Sequence, residues 1–342
     1  LVHIHNIYHQ LSPSLLSVAK RHGIPVVMTV HDYKLIWPDY LLCGYTTSPK
    51  DLTPALSYQE RETQRIGSYW NVVRSRCTQG SYLKSALVVA EKMFHDWLRV
   101  YQKNIDLFLA PSEFVKEKLL AGGYDAKKIR VLPHFVSTPF YKGHPCSYKG
   151  DPCILYFGRL SKEKGVDILL AMMQNMGSGV ELRIAGEGPE ENRLRMRNEE
   201  LGMKNVVFLG RLDQKELQRE IDRAIFIIAP SVAPETFGYS ILESFARGKT
   251  VVASRIGAFP ELVVDGKNGF LVSPGDTKSF VEKALYLLAH PHERSALEKH
   301  ALASAKQYTA ERHYASLFGY YQDILKPLND SFSTSSKNKI YL

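Results

Sequence analysis

A chain of 342 residues with 44% hydrophobic and 23% charged residues has room for two globular cores, and its composition argues against a disordered protein. No run approaches about 18 consecutive apolar residues, so no membrane-spanning helix is expected, and the first residues show no secretory signal pattern. The net charge of +9 is uneven: residues 1–150 carry 19 Lys or Arg against 11 Asp or Glu, whereas the remainder carries 25 against 24. The basic half is therefore expected to meet an anionic partner, with a plain solvated face as the alternative. A membrane surface or a phosphorylated acceptor fits; nucleic acid ranks low, because no recognised binding motif accompanies the charge. Cys43, Cys77, Cys146 and Cys153 lie far apart without a CxxC pair, so neither a zinc site nor a disulfide framework is expected, and a reducing cytoplasm fits.

In chain order, Leu1 to His5 reads as a short apolar strand. Residues 12–22 read as a helix, with Ser12 as N-cap, Pro13 at the first position and Gly23 past the end. Ile24 to Val30 is a second buried strand ending at His31-Asp32-Tyr33. This order implies parallel strands joined by crossover helices. A sheet beginning at Leu1 would present a long apolar edge, so the first domain is expected to be truncated at its N-terminal side. Residues 34–80, rich in Tyr, Thr, Ser and Pro, read as a long loop or lid. Residues 81–103 show a strong helical pattern, with Leu83, Leu87, Ala90, Phe94, Trp97 and Tyr101 on one stripe and Lys84, Lys92, Arg99 and Lys103 off it. The ordinary outcome is a helix packed on a sheet; the alternative is a basic amphipathic helix lying on a membrane. A strand at 106–110, a helix at 111–120 and a strand at 129–132 follow, and 137–151 has linker composition.

A second α/β series is complete. Strands are expected at 153–157, 180–185, 205–209, 225–229, 250–253 and 269–272. Helices are expected at 165–174, 189–201, 213–222, 239–247, 258–264, 276–289 and 291–306. The domains are thus placed at 1–145 and 150–308. A last helix at 310–325 packs back on the first domain, and 327–342 is a polar, disordered tail.

Three stretches carry chemistry. Gly158-Arg159-Leu160 followed by Lys164-Gly165 sits after the first strand of the second domain, where a planar guanidinium and a mobile ammonium can hold a diphosphate. Taken alone it reads as a solvated loop. Gly186-Glu187-Gly188-Pro189 opens a helix after the next strand, and its glycines let backbone amides approach a ligand or simply make a tight turn. Pro230 to Gly248 is strand end, loop and helix start, with Glu235 in the loop and Glu243 in the helix. The two carboxylates could form an acid/base pair as in glycoside hydrolysis. A hydrolase gives no reason for the cations at 159 and 164, however, and carboxylates also accept hydrogen bonds from sugar hydroxyls.

Together the stretches FGRLSKEKG, IAGEGPE, VVFLGRL, APSVAPETFGYSILESFARGKTVVAS and GAFPELVVDGKNGFLVSPGD closely resemble retaining glycosyltransferase family 4 (glycosyl transferases group 1) of the GT-B fold. VHIHN, VVMTVHDYKLIWP and DLFLAPSEFVKEKLL extend the likeness into the first half. The resemblance implies two doubly wound Rossmann-like domains facing a cleft, the first truncated. It implies that Arg159 and Lys164 grip the donor diphosphate, Glu235 holds donor-sugar hydroxyls and Glu243 the ribose. Phe237 and Gly238 would offer backbone amides near sugar and phosphate, and Arg211 and Leu212 with the turn at Gly186 and Gly188 would line the base. His31 would stand near the reacting centre. The implied enzyme is a retaining, metal-independent hexosyltransferase that needs no cofactor. Its donor is a nucleotide-diphospho-sugar and its acceptor a glycan or lipid-linked molecule of cell-surface polysaccharide or glycolipid assembly. It would work in the cytoplasm, in peripheral contact with an anionic membrane, and without nucleic acid. The truncated start raises the alternative of an impaired nucleotide-sugar-binding fragment, which would bind nucleotide yet transfer sugar poorly; a nucleotide-sugar epimerase is a further alternative.

Overall fold

The computed structural model of the chain describes residues 1–7, 11–42, 69–78, 80–137, 139–140, 153–177 and 179–337, with 327–337 described by backbone alone. It divides into two compact units, Leu1–Pro133 with Glu311–Leu342, and His134–Ala310. The boundary falls a few residues before the linker expected at 137–151, most of which lies outside the described residues.

The first unit carries a parallel sheet ordered β1 (Val2–His5), β2 (Val26–Thr29), β3 (Leu107–Ala110) and β4 (Ile129–Val131). The helix α1 (Ser14–Arg21) joins β1 to β2, with Pro13 as its N-cap and Gly23 in the left-handed region at φ 65°. Most of the expected loop at 34–80 lies outside the described residues; within it Trp70–Arg74 forms a short helix, α2. The expected helix at 81–103 is two helices, α3 (Tyr82–Leu98) and α4 (Val100–Asn104), broken where Arg99 adopts a left-handed φ of 53°. The ordinary packing expected of its stripe is corrected. Leu83, Leu87, Phe94 and Trp97 are exposed, whereas Ser85 and Lys92 are buried. Helix α5 (Glu113–Ala121) then leads to β4. Cys77 is disulfide-bonded, against the expectation of four reduced cysteines, and Cys153 is a buried free thiol.

In the second unit all six strands are parallel and run in the order β10-β9-β8-β5-β6-β7. They are β5 (Cys153–Phe157), β6 (Glu181–Ala185), β7 (Val206–Gly210), β8 (Phe226–Ala229), β9 (Val251–Ser254) and β10 (Gly269–Val272). The connecting helices are α6 (Val166–Met176), α7 (Glu191–Glu200), α8 (Gln214–Arg223), α9 (Tyr239–Ala246), α10 (Phe259–Leu262), α11 (Thr277–Ala289) and α12 (Pro291–Ala305). Alternation along β5 sends Cys153, Leu155 and Phe157 into one core and Ile154 and Tyr156 into the other. Because helices cover both faces, the strand reads as an uninterrupted apolar run.

The last helix, α13, runs Ala310–Lys337. The tail expected to be disordered is helical through Lys337, because adding residues to an existing helix costs far less than starting one. Leu317 on α13 packs against Val27, Leu107, Leu109 and Leu132 of the first unit. Truncating Leu317 to Ala leaves a cavity there and should cost the first unit about 2–4 kcal/mol. Trp37, Trp70 and Trp97 all lie in that unit. Tryptophan-detected urea unfolding should therefore show a lower midpoint, and an unchanged midpoint would show that α13 contributes no stability to this core.

Candidate functional site

The loops after β5 and β8 leave strands that are neighbours where the strand order reverses. In an open parallel sheet this is the place where diverging connections leave a crevice. After β5 the chain runs through Gly158 and Arg159 to a single 3-10 turn, Lys162–Lys164, and then to Gly165 at φ 67°, which opens α6. A Cβ at Gly165 would stand 2.1 Å from the carbonyl oxygen of Pro230. Only glycine therefore lets the two loops touch. The carbonyl of Glu163 accepts from the amides of Val232 at 2.9 Å and Ala233 at 3.2 Å, which ties the loops together.

Across this contact Lys164 Nζ donates to Glu235 Oε1 at 2.6 Å, and the same oxygen accepts from Ser231 Oγ at 2.6 Å. Gly257, at φ 58°, supports Glu235 from behind; a Cβ there would meet the Glu235 amide nitrogen at 2.3 Å. Lys164, Glu235, Phe237, Gly238 and Glu243 line one cavity of about 260 Å³. Gly238, at φ 116°, is the N-cap of α9, whose first N–H groups have no intrahelical acceptor and carry the positive end of the helix dipole. Burial pushes the Glu243 carboxyl above its ordinary value. Burial also raises the Tyr239 hydroxyl to about 12, with the nearby Glu243 charge adding to it.

Arg159, Gly186, Arg211 and Leu212 line an adjoining cavity of about 290 Å³, and Phe157 and Gly158 border both. The expected residues of the second unit thus divide between two neighbouring pockets. The glycine turn makes the tight packing contact that was one of its two expected uses. The Gly186 amide is engaged by the Gly210 carbonyl at 2.7 Å. A Cβ on Gly186 would lie 1.9 Å from Gly158 O, and one on Gly188 would lie 2.3 Å from Leu160 O. These glycines bring two loops into backbone contact, and Gly188 borders neither pocket. Arg211 and Glu187 make only a solvent-exposed pair at 3.3 Å. A larger depression of about 900 Å³ beside Met173, Val180 and Asn205 lies at the amino ends of β6 and β7, away from the crevice.

Ser231 and Tyr156 were not singled out in the sequence. Ser231 stands four residues before Glu235, and Tyr156 Oη donates to the Arg159 carbonyl at 2.8 Å, holding the cationic loop. Their signal was only position within the motif.

His31 belongs to the first unit, at the end of β2. Its Nε2 lies 2.7 Å from His5 Nδ1, with the rings stacked at 5.0 Å. His3 is 4.5 Å from His5 between ring centroids and bonds to both Tyr321 Oη and Thr29 Oγ1. His3 and His5 share a strand face because they are two residues apart, a signal present in VHIHN. Burial lowers all three imidazoles, and His5 adds to the shift of His31. His3 falls to about 4, through burial first and then its neighbouring histidines.

Two parallel α/β units, the second doubly wound with cations and carboxylates at its switch point, make up a GT-B architecture. Solved structures of that fold superpose on the chain. Anabaena HepE in complex with UDP-glucose gives a TM-score of 0.67 at 19% identity, covering 94% of this chain and 78% of that one. Sucrose-phosphate synthase of Thermosynechococcus elongatus gives 0.68 at 19%, covering 95% and 73%. Residues 139–303 match the glycosyl transferases group 1 and residues 1–139 glycosyltransferase family 4, and the chain belongs to this family. The sulfoquinovosyl transferase of Arabidopsis thaliana is 30% identical over 229 residues, 62% of this chain and 43% of that protein. The phosphatidyl-myo-inositol mannosyltransferase of Mycolicibacterium smegmatis is 26% identical over 240 residues, 68% and 61%. The chain spans about half the length of the curated relatives it matches.

Two outcomes follow from the titratable groups. His3 has a folded value below its ordinary one, so its contribution is present above pH 6.5 and is lost as the pH falls towards about 4. Tryptophan-detected urea midpoints should drop between pH 7 and pH 4.5 in the wild type and drop less in His3→Gln; equal losses would remove His3 as the cause. Glu243 has a raised value, so at neutral pH its buried charge opposes folding. Glu243→Gln should raise the melting temperature of the unliganded chain. A lower melting temperature would contradict this.

Proposed function

We propose that the chain transfers a sugar from a nucleoside-diphosphate donor to a glycan or lipid-linked acceptor in the assembly of cell-surface polysaccharide or glycolipid, with retention at the anomeric carbon. The observation that carries this is the Lys164–Glu235 pair, lining one cavity with Glu243 and the start of α9 beside the Arg159 pocket. Cation, carboxylate and helix N-terminus are the three groups that a diphosphate joined to a polyhydroxylated sugar needs.

In this reading Lys164 leaves its contact with Glu235 for the donor phosphates, which Arg159 also holds. Glu235 then accepts hydrogen bonds from sugar hydroxyls, and Glu243 accepts from the ribose. Phe237 and Gly238 present main chain to the sugar and phosphate, and Arg211, Leu212 and Gly186 border the base. The C1–O bond to the diphosphate breaks and its electron pair stays on the diphosphate oxygen. The acceptor hydroxyl forms the new C1–O bond on the same face and passes its proton to that leaving oxygen. Arg159, Lys164 and the dipole of α9 stabilise the departing charge without calling on a metal ion. His31, whose imidazole burial and His5 hold below its ordinary value, is the first unit's candidate for a catalytic role. Anabaena HepE, solved with UDP-glucose, and the mannosyl and sulfoquinovosyl transferases among the relatives support the donor and acceptor classes.

Lys164→Ala and Glu235→Gln should each lower transfer by about 10²–10³-fold in the full-length enzyme, the usual effect of removing one preorganised charge-stabilising group. Glu235→Gln should still be stabilised by the nucleoside diphosphate alone in a thermal-shift assay. Near-normal turnover in either variant would overturn the assignment.

A further inference from the structure

The break between α3 and α4 puts an arginine where the backbone favours glycine. Arg99 holds a left-handed φ of 53°, a conformation that strains an L side chain and that helix ends usually give to Gly or Asn. Such residues cluster at ligand clamps, held by the structure around them. Arg99 borders a cavity of about 280 Å³ with Gln102, Lys103, Phe108, Tyr124, Asp125 and Lys128. The cavity lies at the amino ends of β3 and β4, whereas His31 follows the carboxyl end of β2. No residue assigned to sugar transfer borders it.

Its polar groups are unevenly matched. Three cations, Arg99, Lys103 and Lys128, face one carboxylate, Asp125, a surplus of two positive charges. Asp125 Oδ1 already accepts from the Lys127 amide at 2.9 Å. Among the described residues neither the Arg99 nor the Lys103 side chain has a hydrogen bond or ion pair. Lys128 Nζ donates to the carbonyls of Gln102 at 2.9 Å and Ile105 at 2.8 Å, which fixes the ammonium and leaves one proton to give. Gln102 Oε1 is buried without a donor, an acceptor that costs stability until something meets it. Phe108 and Tyr124, edge to face at 5.0 Å, supply an apolar wall, and the Tyr124 hydroxyl is engaged by the Leu35 carbonyl at 2.9 Å.

A dianion on a short hydroxylated skeleton meets all of these groups. A phosphate monoester carries about 1.5–2 negative charges at neutral pH, and an arginine fork binds two of its oxygens at once. A phosphodiester or a carboxylate, with one charge, leaves a cation unmatched. The volume is at the low end for ligand sites, which limits the skeleton to a few carbons. We propose that this cavity binds a soluble phosphate monoester of a small hydroxylated molecule. The phosphate lies on Arg99, Lys103 and Lys128, the carbons lie on Phe108 and Tyr124, and a hydroxyl donates to Gln102 Oε1. The site is wholly within the first unit, so it stands independently of the donor site.

Isothermal titration of the chain with glycerol 3-phosphate tests this, with dimethyl phosphate and glycerol as controls. Glycerol 3-phosphate should bind, at least about tenfold more tightly than the diester, and binding should weaken with added salt. Glycerol should not bind. The double variant Arg99→Gln, Lys103→Gln should weaken binding at least about tenfold with an unchanged urea midpoint, since both side chains are exposed. Hydrogen exchange on the wild type locates the ligand whether or not that variant folds: amides within 99–104 and 123–128 should slow when glycerol 3-phosphate is added. Absence of binding, equal binding of dimethyl phosphate, undiminished binding by the double variant, or protection confined to the second unit would overturn the proposal.

Discussion

A Cβ at Gly165 would lie 2.1 Å from the carbonyl oxygen of Pro230, and that close approach is what lets the loops after β5 and β8 share one cavity. Around it the other constraints fall into place. The Glu163 carbonyl bonds two amides of the facing loop, Gly257 leaves room behind Glu235, and Gly186 and Gly188 bring their turn against Gly158 and Leu160. The geometry is set by backbone packing, which is stiffer than any side-chain contact. Lys164 and Glu235 are therefore held within 2.6 Å by loops that cannot easily drift apart.

The first unit depends on a different constraint. Lys92 is buried beside Asp96, with Tyr69 donating to the same carboxylate at 2.9 Å, and Lys34 meets Glu91. Burial outweighs Asp96 in lowering the Lys92 pKa. Leaving one partner of such a network unpaired costs several kcal/mol. Buried Lys92 keeps its side of α3 turned inward, and the apolar stripe faces outward.

Much of this was legible in the residues. The strands of the second unit among the described residues were found because parallel strands covered on both faces are largely apolar runs. The candidate site residues came from the family resemblance of FGRLSKEKG and APSVAPETFGYSILESFARGKTVVAS, since the loop with Arg159 and Lys164 taken alone reads as a solvated loop. The break at Arg99, the helical continuation to Lys337 and the bonded Cys77 were not legible. The first two are decided by small backbone energies, and the third by which segments meet in space. Helical periodicity also identified the stripe on α3 correctly but assigned it to the wrong side, because amphipathicity shows that two faces differ and not which one is buried.

By itself the sequence determined the order of strands and helices, the division into two α/β units and the residue types available at the strand ends. Local periodicity and composition carry that information. The tertiary structure decided which of those groups meet. It alone set the strand order β10-β9-β8-β5-β6-β7, which makes β5 and β8 neighbours and puts Lys164 against Glu235. It packed Gly186 and Gly188 against Gly158 and Leu160 and set His31 against His5. The physical reason is that contacts across 71 residues of chain follow from sheet pairing and core packing, long-range terms that no window of sequence contains.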